Sequence, residues 1–117
     1  MSDHYELIDS DGLLVIKVLI DTLDFYEISE SANFLRTALK ERSFPSVAWD
    51  LTAVEFIDSS VFGFFIETRN VITKNGSETA IVCRNKEVLN IIFMLKINEI
   101  IRVFPSLEAA LQYLRSR

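Results

Sequence analysis

The sequence predicts an α/β domain with a mixed β-sheet. Strand-like apolar runs alternate with helical stretches, the first two runs are joined by hairpin turn chemistry, and each later run is followed by a helix. An opening hairpin gives one antiparallel pair, and right-handed crossovers make the later strands parallel.

Tyr5 to Asp9 and Leu13 to Leu19 are extended runs separated by Ser10-Asp11-Gly12, which favours a tight turn. Ile28, Ala32, Leu35 and Leu39 then recur at helical spacing through Lys40, after the acidic segment from Asp21 to Asp24. Pro45 interrupts the chain before Val47-Ala48-Trp49, a short interior strand ending at Asp50, and a loop is expected from there to Asp58. From Ser59 to Asn75 the spacing is again helical, with Asn75-Gly76 as the stop. Thr79 to Cys83 is a β-branched strand, and Asn85 can cap a third helix from Glu87 to Leu95. Ile100 to Phe104 is the expected last strand. Pro105-Ser106 introduces a final helix, Leu107 to Leu114, with Glu108 in its first turn and Arg115 and Arg117 at its end, as the helix dipole favours. About four helices are expected, in one domain spanning residues 1–117.

Composition narrows the function classes. A net charge of −5, with scattered Lys and Arg, lacks the basic patch that nucleic-acid binding needs. The longest apolar run, Leu13 to Ile20, is interrupted by Lys17 and falls far short of a membrane span, and the acidic N-terminus lacks a signal peptide's basic lead. The expectation is a cytoplasmic protein with no membrane insertion and no nucleic-acid partner. The single cysteine, Cys83, has no Cys or His at metal-ligand spacing and reads as a buried strand thiol, so neither a metal nor a cofactor is expected. Trp49 is assigned to the core, and His4, the one histidine, to solvent. An enzyme would need a nucleophile with its base, a metal cluster or a phosphate-cradling loop. Ser59 has no histidine but His4 to serve it, and three scattered glycines make no such loop, so catalysis is not expected.

The most informative stretch runs from Val47 to Phe65: a strand ends at Asp50-Leu51, a loop follows, and Phe56-Ile57-Asp58-Ser59-Ser60 opens a helix. Here the chain resembles the STAS domain family, in particular its anti-sigma factor antagonists. In these, a strand ending in Asp-Leu leads to Phe-x-Asp-Ser-Ser-Gly-Leu-Gly at the start of the second helix. The resemblance extends to Leu23-Asp24 before the first helix and to Ile100–Phe104 with Ser106–Leu111 near the end. It implies a single STAS-like domain that works by partner switching. The unphosphorylated form binds an anti-sigma factor that is also a serine kinase and frees the sigma factor. Phosphorylation of the first serine, here Ser59, breaks that complex, and a phosphoserine phosphatase restores it. The alternative within the family is a STAS adaptor unrelated to sigma factors, such as a lipid-transport component or a signalling scaffold.

The residues give this a physical basis. A serine at a helix N-cap stays near the surface, and a phosphate there meets the positive end of the helix dipole. Asp-Ser before a helix is equally ordinary capping chemistry. The implied partner surface comprises Asp24, Asp58, Ser60, Val61 and Phe64. Asp24 reads either as a recognition residue, as the resemblance implies, or as a cap. Val61 replaces the family's glycine and is expected to add bulk beside the acceptor, and Lys96 stands where a glycine commonly closes the third helix. Phe62, Phe64 and Phe65 cannot all face inward from one helical stripe, so Phe62 and Phe65 are assigned to the core and Phe64 to the surface. Phe25 and Tyr26 either join that surface or anchor the first helix.

Overall fold

The computed structural model describes residues 2–117. The chain forms β1 (Tyr5–Ser10), β2 (Leu13–Val18), β3 (Thr22–Leu23), α1 (Phe25–Glu41), β4 (Val47–Asp50), β5 (Phe56–Ile57) and α2 (Val61–Lys74). There follow β6 (Thr79–Val82), α3 (Lys86–Met94), a 3-10 turn (Ile97–Glu99), β7 (Arg102–Phe104) and α4 (Leu107–Arg115). The main sheet has the order β1-β2-β4-β6-β7. Only the β1–β2 pair is antiparallel; β2–β4, β4–β6 and β6–β7 are parallel. The expected mixed sheet and four α-helices are therefore present.

Strand alternation sorts the core into two layers. Leu14, Ile16, Val47, Trp49 and Ile81 face the side covered by α1, α2 and α3, while Val15, Ala48, Ala80 and Val82 face α4 through Ala110 and Leu114. β4 and β6 are buried on both faces, which is why they read as short continuous apolar runs. Trp49 is fully buried and stacks on Phe65, with ring centroids 4.5 Å apart.

Local signals hold at most element ends. Asp11 (φ 52°) and Gly12 (φ 83°) make the two-residue turn, where a left-handed backbone is required. Asn85 caps α3 by accepting from the N–H groups of Glu87 (2.9 Å) and Val88 (3.1 Å), and Ser106 caps α4 through Ala109 N–H (3.1 Å). Four expectations are corrected. The segment from Leu51 to Asp58 is not all loop, because Phe56–Ile57 pairs with Thr22–Leu23 as a separate parallel two-stranded sheet. The last strand begins at Arg102, since the chain first completes the 3-10 turn in which Ile100 N–H donates to the Ile97 carbonyl (2.9 Å). α2 begins at Val61 rather than Ser59. His4, though half exposed, is not simply solvated: its Nδ1 lies 2.9 Å from Glu27 Oε1.

Candidate functional site

The small β3–β5 sheet builds the site. Leu23 and Ile57 are register partners, so the next residues, Asp24 and Asp58, leave the pair side by side and open α1 and α2 respectively. Glu55 and Phe56 N–H groups both donate to the Asp21 carbonyl (2.8 and 3.0 Å), and Asp58 N–H donates to the Leu23 carbonyl (3.0 Å). These three main-chain bonds need no side chain, and with the strand pairing they fix the two helix starts relative to one another.

Each aspartate organises the start of its own helix. Asp24 Oδ1 accepts from Glu27 N–H at 2.8 Å, so Asp24 is the N-cap of α1, the capping alternative of the sequence reading. Asp58 Oδ1 accepts from Ser60 N–H at 3.1 Å. The backbone then tightens: Val61, Phe62 and Gly63 N–H groups donate to the carbonyls of Asp58, Ser59 and Ser60 at 3.0, 3.2 and 3.1 Å. The first N–H groups of α2 are therefore already engaged, and Ser59 is not the cap it was expected to be. Its side chain is exposed and makes no hydrogen bond among the described residues. Ser60 occupies the N-cap position in helical geometry, exposed and without a side-chain capping bond.

Two expected surface residues turn inward. Val61 is fully buried, so its side chain fills core space rather than standing beside the Ser59 hydroxyl. Phe64 is 7 % exposed and packs edge-on to Trp49 at 6.2 Å, with the Arg36 guanidinium 5.2 Å over its ring. The reason is that α2 packs against both the sheet and α1, so its buried face is wider than one stripe; among residues 61–65 only Gly63 is exposed. Phe62 and Phe65 are core residues as expected.

The exposed aromatics of this end lie elsewhere. Phe25 is 62 % exposed, Tyr26 71 % and Phe56 59 %, so Phe25 and Tyr26 do not anchor α1. Phe56 was missed because a two-residue strand shows no alternation by itself; its chain neighbour Ile57 is buried in the core. The site is thus an exposed serine directly after Asp58, on a segment that the β3–β5 pairing sets beside the α1 cap Asp24, and the two segments carry the exposed rings of Phe25, Tyr26 and Phe56.

One turn into α1, Glu27 ties the helix to the N-terminal strand. Its carboxylate accepts from Ser31 Oγ (2.7 Å) and Tyr5 Oη (3.0 Å) and meets His4. Burial pushes this carboxyl up, but the hydrogen bonds from His4, Ser31 and Tyr5 outweigh it and hold the group below the usual glutamate range. Burial pushes the Tyr5 phenol well up, which keeps it a neutral donor to Glu27. Burial likewise raises the Cys83 thiol, which stays protonated in its place after β6. No helix among the described residues is long and apolar enough to cross a membrane.

The STAS domain family model matches residues 4–110. No curated protein sequence matches the chain significantly. Among solved structures, the chain is similar to an anti-sigma factor antagonist from Mycobacterium paratuberculosis, with 24% identity and a TM-score of 0.78 over 95% of this chain and 92% of that one. It is also similar to the phosphorylated form of the Bacillus cell fate determinant SpoIIAA, with 17% identity and a TM-score of 0.69 over 97% and 99% of the two chains. A third likeness is to murine Slc26a9, an anion transporter, with 18% identity and a TM-score of 0.69, covering 91% of this chain but 18% of the transporter.

Proposed function

The chain belongs to the STAS domain family, and from that premise we propose that it is an anti-sigma factor antagonist, a cytoplasmic phospho-switch whose acceptor is Ser59. The observation that carries this reading is the Ser59 hydroxyl, exposed and unengaged, while Asp58 takes the Ser60 N–H in a side-chain turn just ahead of α2. The inward turn of Val61 supports it further, since the residue that replaces the family's glycine leaves the approach to Ser59 unobstructed.

The chain acts as substrate and binding partner rather than catalyst: nucleotide, metal and general base come with the kinase. In the unphosphorylated state, Asp24, Asp58, Ser60 and the exposed rings of Phe25, Tyr26 and Phe56 meet the anti-sigma factor. Exposed aromatics supply contact area at little entropic cost, and the carboxylates fix orientation.

Phosphorylation adds a charge of roughly −1.5 to −2 at Ser59. Repulsion between that phosphate and a nearby carboxylate, screened by water, is worth only about 1–2 kcal/mol. Trapping the phosphate inside a dry interface costs several kcal/mol, so desolvation and bulk, not repulsion, break the complex. The fold tolerates the group because Ser59 lies outside both core layers.

The test is to incubate the protein with ATP, magnesium and an anti-sigma kinase of its source, then read intact mass and map the peptides. One added phosphate on Ser59, absent in Ser59→Ala, is expected. A wild-type protein that binds its partner yet is never phosphorylated would sink the switch and leave a constitutive STAS adaptor.

A further inference from the structure

The five-stranded sheet has two edges, and the chain treats them differently. β7 is defended: it has three residues, begins with an exposed arginine, Arg102, and is followed by Pro105, which has no N–H. β1 is less defended: Glu6 and Asp9 are exposed charges, but the strand is neither short nor closed by proline. It runs six residues in unbroken register with β2, without proline, lysine or bulge.

The direction of its free main-chain groups follows from the ladder. Leu19 N–H donates to the His4 carbonyl (2.8 Å), and hydrogen-bonded pairs then alternate toward the turn, so Glu6 and Ile8 face β2. The N–H and C=O groups of Tyr5, Leu7 and Asp9 consequently point away from the sheet. Ile8 and Leu19 are exposed at 37% and 45%, and a cavity of about 380 Å³ straddles the edge, lined by Ser2, Tyr5, Glu6, Leu7, Leu19 and Phe34.

We propose that β1 pairs antiparallel with β1 of a second copy of this chain across a twofold axis at Leu7, joining the two sheets edge to edge. This register sets Leu7 against Leu7, Tyr5 against Asp9 and Glu6 against Ile8, so no like charges stand opposite one another. Moving the axis to Glu6 would oppose two carboxylates, which destabilises a strand pair. Moving it to Ile8 would bring the outer pairing onto Asp11, which has left the strand at φ 52°. Asp9 enters the seam already neutralised, because Arg42 of its own chain holds it at 2.8 and 3.2 Å. The partner is therefore a second copy, and the surface is independent of Ser59.

Sedimentation equilibrium of the full chain over a concentration series tests this, with circular dichroism to verify each variant's fold. A reversible dimer is expected. Ile8→Glu faces Glu6 of the second copy at two symmetric places and should weaken the dimer roughly tenfold, whereas Ile8→Lys meets the same Glu6 and should hold or tighten it. Leu7→Pro removes an outward donor without touching the β2 ladder and should also weaken it. A monomer at every concentration overturns the proposal, and so does a dimer whose strength responds equally, or not at all, to Ile8→Glu and Ile8→Lys.

Discussion

Asp58 closes a side-chain turn just ahead of α2, its carboxylate taking the Ser60 N–H and leaving the neighbouring Ser59 hydroxyl free. Asp58→Ala should therefore lower unfolding free energy by about 1 kcal/mol, the usual net worth of one hydrogen bond. Asp58→Asn keeps the acceptor oxygen and should stay within ~0.5 kcal/mol of wild type in urea denaturation. If Asn then binds the anti-sigma factor more weakly at unchanged stability, the charge matters for recognition. Phe64 and Phe56 divide in the opposite sense from the sequence expectation. Phe64→Ala removes a ring packed on Trp49 and should cost ~3–5 kcal/mol of stability. Phe56→Ala, at an exposed ring, should leave stability within ~0.5 kcal/mol and weaken partner binding. Both are read by thermal melts alongside calorimetric titration with the anti-sigma factor.

At the scale of elements, the two-residue pairing of β3 with β5 brings Asp24 to Asp58 across more than thirty intervening residues. The sequence reading found the long elements because each has a period: the hairpin by its turn residues, α1 and α2 by apolar spacing, β4 and β6 by continuous apolar runs. It could not find β3 and β5, since two residues hold no period and their bonds are main-chain. The same limit misplaced Phe64, for a helical wheel does not tell how many neighbours will cover it. Lys96, by contrast, was noted where a glycine is usual, and it does adopt a left-handed backbone (φ 59°) after α3. The tie from α1 to β1 was likewise invisible, as His4, Tyr5, Glu27 and Ser31 meet only in the fold. Because Glu27 titrates below its unfolded value near 4.3, the tie's contribution is present above that pH and is lost as pH falls through the depressed folded value. Glu27→Gln should flatten the loss of stability over that acid window. An unchanged pH dependence of the melting temperature would remove Glu27 from the account.

For the whole molecule, the division of labour is between a core that does not change and an end that does. Three helices cover one face of the sheet and α4 the other, while Ser59 sits on neither core layer. Phosphorylation should accordingly alter what the protein binds without altering what it is. Trp49, the single tryptophan and fully buried, reports on the core, so its emission should be the same in both forms. The most direct measurement is calorimetric titration of the anti-sigma factor with unphosphorylated and Ser59-phosphorylated protein of matched Trp49 emission. Desolvation of the phosphate predicts binding weakened at least about a hundredfold, the equivalent of several kcal/mol. Equal affinity for the two forms would contradict the switch.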